Sequence, residues 1–311
     1  MIKTFRELGK SRNCLVTVAI GDTYLQQWQQ HALKSWMAYA EKYDLGIFAL
    51  TESLYPESDP NWKKPNWQKL LIGRELLKQG LDVSFTCFLD TDILISPISP
   101  NIFDLYDGTS YGLVSQVKNM PMPLELVLRQ FVFLRHKFYS PEYPLDSGAL
   151  MTPKQQYEFS GLSPFDDLAC TGLFLFNPKK SSIDMENWYF KYARDYRSVT
   201  GGEQVHLNWE MLNTGEVQWL PYEFQAIWVY EMAWKYPFLY AHHSDKTLIR
   251  ECVEASLFSN HFLHFAGSWY ESDMWLDDKI LHSAEKFGLY SSFNDYLHSP
   301  VTGSAKGMIK P

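Results

Sequence analysis

VSFTCFLDTDILI, running from Val83 to Ile95, is the stretch on which the fold turns. Apolar and β-compatible residues lead up to Asp90 and resume after Asp92, and Pro97 and Pro100 stop the run. A strand with one wet face would alternate polar and apolar residues; a continuous run implies a strand covered on both faces. Upstream, WQKLLIGRELLKQG is a helix ended by Gly80 at the position where a left-handed residue closes the last turn. Before it come a Pro-, Asn- and Asp-rich loop from Tyr55 to Asn66 and a second strand, Leu45 to Thr51. Residues Tyr24 to Lys42 place Leu25, Trp28, Leu33, Trp36 and Ala40 near one helical face, and CLVTVAIG, Cys14 to Gly21, is a further buried strand.

Strand, helix, strand, helix, strand is the signature of parallel strands joined by crossover helices. The expected class is α/β, Rossmann-like: a mostly parallel central sheet flanked by helices. Downstream, Tyr111 to Val117 is a candidate strand. Residues 118–168 are a Pro-, Met- and Tyr-rich insertion with one helix, Leu124 to Phe138. Strand character returns at Thr171 to Asn177, followed by helices over Met185 to Arg197 and Glu203 to Leu212 and by HFLHFAG as a C-terminal extension. One domain over 1–298 and a polar tail over 299–311 are expected.

The composition narrows the function. Net charge is −8, so no overall positive field would hold a nucleic acid. Aromatics make up 16% of the residues, enough for a core and for ring-stacking surfaces besides. Cys14, Cys87, Cys170 and Cys252 are far apart with no C-x-x-C pair, which suits reduced thiols in the cytoplasm better than disulfides or zinc. No secretory leader and no run of about 18 apolar residues is present, so a cytoplasmic location is expected. LELVLRQFVFLRHKF, with Arg129, Arg135 and Lys137, suits packing on the core or on a second copy of the chain better than lying on the inner face of a membrane.

Ligands of open α/β sheets bind beyond the carboxyl ends of the strands. Asp22 follows the first strand and Asp90 ends the third. Asp90 and Asp92 form the chain's single D-x-D, and if strand geometry persists they project from one face. Two carboxylates beside a buried strand are costly unless a cation compensates them. Oxygen ligands on one side leave room for a diphosphate on the other side of a divalent ion.

In this order of motifs the chain resembles the GT-A glycosyltransferases, and most closely glycosyltransferase family 8 and related metal-dependent retaining enzymes. VAIGDTY looks like the nucleotide loop, KPNWQKLLIGREL like the basic helix, FLDTDILI like the metal motif, TGLFLFN like the strand ending in Asn, GEQVHLN like the Asp-Gln segment and HFLHFAGSW like the C-terminal His-Phe-x-Gly. The resemblance implies that Asp90, Asp92 and His264 bind Mn²⁺ or Mg²⁺. It assigns Asp22, Tyr24, Lys69, Thr91, Gly172 and Gly267 to the donor, with Arg74 less favoured than Lys69 for donor charge. It puts Gln204 beneath the donor sugar, with Glu203 in place of the usual Asp. A nucleotide-sugar donor, UDP-linked, and a glycan, glycolipid or protein acceptor are implied. The chain departs from the pattern twice. Cys170-Thr171-Gly172 replaces Asn-Ala-Gly, and Ser268-Trp269-Tyr270 supplies no Lys for the diphosphate, leaving Lys235 or Lys246 as substitutes.

Two rivals remain. A haloacid-dehalogenase-type phosphohydrolase also uses D-x-D after a strand, with Asp166-Asp167 or Asp277-Asp278 as its second acidic pair. A non-catalytic nucleotide-sugar-binding protein would keep the donor site and lose transfer.

Overall fold

The computed structural model describes residues 2–139, 150–192, 202–267 and 272–282. The tail 299–311, the end of the helix expected over Met185 to Arg197, and Ser268-Trp269-Tyr270 lie outside them.

The chain begins with β1 (Ile2–Arg6) and β2 (Cys14–Val18). A helical run follows, made of α1 (Asp22–Gln27), a π-helical turn (Trp28–Ala32) and α2 (Leu33–Tyr43), and leads to β3 (Gly46–Leu50). A 3₁₀ segment (Pro65–Leu71) and α3 (Ile72–Lys78) then return the chain to β4 (Thr86–Leu89). After β5 (Ile93–Ile95) and β6 (Tyr111–Ser115) the expected insertion folds as α4 (Leu124–Phe138) and α5 (Pro153–Phe159). The rest is β7 (Ala169–Phe176), α6 (Pro178–Lys191), α7 (Gln204–Asn213), β8 (Val217–Leu220), β9 (Ala226–Ile227), α8 (Trp228–Lys235), α9 (Lys246–Ser259) and β10 (Phe262–His264).

Seven strands form the central sheet in the order β1-β3-β2-β4-β7-β6-β8, and β5, β10 and β9 form a small second sheet. The molecule is thus α/β with a helix-flanked sheet, as expected. β2 runs parallel to β3 and β4, the crossover block read from the sequence. The parallel rule stops at β7, which is antiparallel to both β4 and β6, and β1 is antiparallel to β3. Five of the seven strands, β3, β2, β4, β6 and β8, nevertheless run the same way, so the sheet is mostly parallel as expected, with only β1 and β7 reversed. Both faces are covered. Leu15, Ile47, Leu89 and Leu173 pack with Trp28 and Trp36 on one side, while Val16, Phe48, Phe88 and Phe174 pack with Leu70, Leu76 and Met185 on the other. Period-two alternation between two apolar layers is why these strands read as unbroken hydrophobic runs.

Two boundaries differ from the sequence reading for local reasons. The strand expected over Val83 to Ile95 is broken by a turn at Thr91 and Asp92, and β5 leaves the central sheet to pair with β10. α6 starts at Pro178, seven residues before Met185. Asn177 caps it by accepting from the Lys179 N–H, with Pro in the first turn, a start signal stronger than the apolar periodicity that begins later. Among the described residues no helix is long and apolar enough to cross a membrane. All four cysteines are buried and free.

Candidate active site

The two sheets meet at the D-x-D. β4 ends at Leu89, and the Asp90 N–H donates to the carbonyl of Gly172 in β7 at 2.7 Å, holding that end of the turn to the central sheet. The other end is held by β10: Ile93 lies opposite His264 in the antiparallel register, and the Phe265 N–H donates to the Asp92 carbonyl at 3.0 Å. Strand pairing therefore delivers His264 to a D-x-D 172 residues upstream, counted from Asp92. The same-face argument for the two carboxylates does not apply, because the turn breaks strand geometry; the turn itself gathers them.

One ligand atom from each of Asp90, Asp92 and His264 lies within 4.8 Å of the others. His264 Nε2 is 3.2 Å from Asp92 Oδ1 and 3.9 Å from Asp90 Oδ2. Ligands at adjacent corners of an octahedron with ~2.1 Å bonds stand about 3 Å apart, so small side-chain shifts would close this set on a divalent ion. Two carboxylates with an imidazole favour a transition metal such as Mn²⁺ over Ca²⁺. Burial raises the Asp90 carboxyl, and neighbouring Lys69 and His264 do not fully offset it. At Asp92 burial is outweighed by the charge and hydrogen bond of His264, which hold that carboxyl below its usual range. Burial disfavours the imidazolium of His264, yet Cys170 and Asp92 push it well above the ordinary histidine value.

Gly172 is a spacer beneath this cluster. A Cβ built there would fall 2.2 Å from His264 Cε1 and 2.9 Å from Asp90 Oδ2. Gly172 itself is buried and is not among the described residues lining the cleft.

Lys69 sits behind the cluster, 2% exposed. Its ammonium donates to Glu203 Oε1 at 2.7 Å, to Asp90 Oδ1 at 3.2 Å and to the Thr171 carbonyl at 3.1 Å. Three donors meet three acceptors. Burial opposes its charge, but Asp90 and Glu203 outweigh that and hold the ammonium well above its usual value. Glu203 is buried and also accepts from Thr171 Oγ at 2.8 Å, so it is neither an exposed helix cap nor a free sugar ligand. Thr171, which the departure Cys170-Thr171-Gly172 introduced, thus ties Glu203 into the network. Arg74 instead bridges α3 to α6 through Glu186 at 3.1 Å.

A cleft of about 680 Å³ opens over the cluster. Asp90, Thr91, Asp92, Lys69, Tyr24 and Gly267, all singled out in the sequence, are among the described residues that line it. Gly267 has φ 135°, a backbone conformation that favours glycine, while an added Cβ would meet nothing closer than 3.6 Å; conformation and not space selects it. Asp22 is exposed in the first turn of α1, and Gln204 is half-buried at the start of α7; neither is among the described residues lining the cleft. Lys235 is engaged by the buried Glu231 at 2.5 Å, while Lys246 lines an adjoining cavity of about 520 Å³ that shares Gln27, Asp273 and Leu276 with the cleft. Asp167 accepts from Ser115 and Asp277 from Arg250, and none of Asp166, Asp167, Asp277 and Asp278 is among the described residues lining the cleft.

Sequence reasoning passed over Lys64 and Gln225. Lys64 is exposed and lines the cleft, and its place just before Pro65 in the K-P-N-W-Q-K element was the available signal. Gln225 carried no signal: only the β9–β10 pairing, which sets Ile227 beside His264, brings its Nε2 to 3.4 Å from His264 Nδ1.

No family model matches the chain, and no curated protein matches it in sequence. Among solved structures it is similar to a glycosyltransferase involved in glycosylation of the major capsid of PBCV-1, at 9% identity and TM-score 0.46, over 85% of this chain and 100% of that one. It is also similar to the galactosyltransferase LgtC in complex with donor and acceptor sugar analogs, at 15% identity and TM-score 0.44, over 90% and 95%. The bifunctional glycosyltransferase WbbM in its apo form is similar at 13% identity and TM-score 0.46, over 92% of this chain and 52% of that one. Likeness at this level assigns no residue a role, and the functional reading rests on the geometry of the site.

Proposed function

We propose that the protein is a glycosyltransferase in which Asp90, Asp92 and His264 hold Mn²⁺ or Mg²⁺ and a nucleotide sugar, UDP-linked by the resemblance, donates its sugar to a glycan, glycolipid or protein acceptor with retention. The observation that carries this reading is the convergence of two carboxylates at one wall of a cleft, with a buried imidazole directly behind them; the cleft also presents a lysine and an exposed tyrosine ring. When bound, the cation would supply Lewis-acid neutralisation of the departing diphosphate.

The chain's own residues supply the remainder. Tyr24, 62% exposed, offers a ring face for a base or ribose. Lys64 offers a cation to phosphate where the expected C-terminal lysine is missing, because Lys69 has no hydrogen left to donate to a ligand. Lys69 instead holds Asp90 and Glu203 in place and compensates their charge in a partly dry site. Gly267 lets backbone approach the diphosphate. Gln204, beside Glu203, is the candidate for the face beneath the donor sugar.

The test is Mn²⁺ titration of the protein together with turnover of a panel of UDP-sugars, with and without acceptors. Turnover that chelation removes and Mn²⁺ restores, and that Asp92→Asn lacks, is the expected result. Full activity of Asp92→Asn in chelator would sink the metal role. Phosphate release from simple esters would favour the phosphohydrolase, and tight UDP binding with no turnover on a broad acceptor panel would favour the binding protein.

A further inference from the structure

The imidazole of His264 has two buried neighbours on the side away from the carboxylates. Cys170 Sγ is 3.5 Å from Nδ1, and Gln225 Nε2 is 3.4 Å from the same atom. Gln225 is only 2% exposed, and its Oε1 is buried without a hydrogen-bond partner. No hydrogen bond to Oε1 therefore holds the amide in its present orientation.

The hydrogen bookkeeping of the ring identifies a second orientation of that amide. In the neutral ring, an Nε2–H aimed at Asp92 Oδ1, 3.2 Å away, leaves Nδ1 to accept from the Gln225 amide N–H or the Cys170 thiol. A cation between the carboxylates and His264 needs the Nε2 lone pair, so the ring hydrogen must then sit on Nδ1. Nδ1–H requires an acceptor, and a half-turn of the Gln225 amide about its last torsion delivers Oε1 to it.

Resting on the metal reading above, we infer that Gln225 is the positioning residue of the His264 ligand, its amide turning to accept Nδ1–H when a divalent cation takes Nε2. The fold restricts it to this task. Gln225 directly precedes β9, whose parallel pairing places Ala226 against Leu263 and Ile227 against His264, so the two side chains are locked in register. Gly172 lies against the Cε1 edge of the ring, where a Cβ would fall 2.2 Å from Cε1.

Binding of Mn²⁺ alone, followed by the electron-spin-resonance signal of the free ion and by calorimetry, tests this without any sugar donor. Gln225→Leu, which can neither donate nor accept, is expected to weaken Mn²⁺ binding about 10–100-fold, the usual effect of removing a partner behind a ligating histidine. Gln225→Glu, which can only accept, is expected to retain or tighten Mn²⁺ binding, whereas a residue that merely fills space would lose as much with Glu as with Leu. Circular dichroism and urea midpoints of both variants without metal separate loss of folding from loss of affinity. Leu within about 2-fold of the parent, or Glu weakened as far as Leu, would overturn the inference while leaving the metal site standing. A parent protein that binds no Mn²⁺ would overturn the metal reading itself, and this inference with it.

Discussion

Gly172 and Lys69 are residues whose importance lies in what surrounds them. At Gly172 an added methyl would strike the His264 ring, backed by Gln225 and Cys170, so the ring has little room to yield. Gly172→Ala is expected to cost about 1–3 kcal/mol in urea unfolding and to weaken Mn²⁺ binding in titration. Lys69→Met would leave Glu203 buried without its counter-ion and is expected to destabilise by about 3–5 kcal/mol. Adding Glu203→Gln should recover a good part of that loss, because a neutral amide leaves no bare charge behind. A double-mutant cycle in denaturant measures the coupling. If the two substitutions were simply additive, the buried pair would not be the unit described.

At the scale of the element, α7 illustrates a helix tuned by its burial. His206 packs against the rings of Trp67 and Tyr192 with centroids 5.9 and 4.6 Å away. Burial pushes its imidazole down to about 4, against the opposing pull of Glu210 and Glu203. A depressed histidine value means that, between about 6.5 and about 4, the unfolded chain binds a proton that the folded chain refuses. The contribution is complete above about 6.5 and is lost as pH falls toward 4, to a ceiling of about 3 kcal/mol. Stability of the parent should therefore drop more steeply between pH 6.5 and 4 than that of His206→Gln. Chemical denaturation across that range checks the difference, and parallel curves would contradict it.

For the molecule as a whole, the candidate cation site joins two sheets: the β4 end belongs to one and β10 to the other. A ligand that binds only the folded chain stabilises it by about 2.7 kcal/mol at one hundred times its dissociation constant. Mn²⁺ at that level is expected to raise Tm by roughly 5 °C in a chain of this size, and not in Asp92→Asn. A shift of equal size in both proteins would place the ion elsewhere.

The crossover block and the D-x-D were legible in the residues because both are local. Unbroken apolar runs such as Cys14 to Gly21 mark strands covered on both faces, and Gly80 marks where a helix must stop. The motif resemblance singled out Asp90, Asp92 and His264, and these three lie together where the two sheets meet. Less legible was everything set by distant pairing. The turn at Thr91, the antiparallel run of β7 and the departure of β5 to a second sheet depend on partners far along the chain. Lys69 looked like a phosphate ligand until burial showed its three hydrogens already spoken for, and Gln225 gave no sign at all. Helix and strand periodicity record which face of a segment avoids water; which side chains then share one dry volume, and so which charges must satisfy one another, is decided only when the sheets close around them.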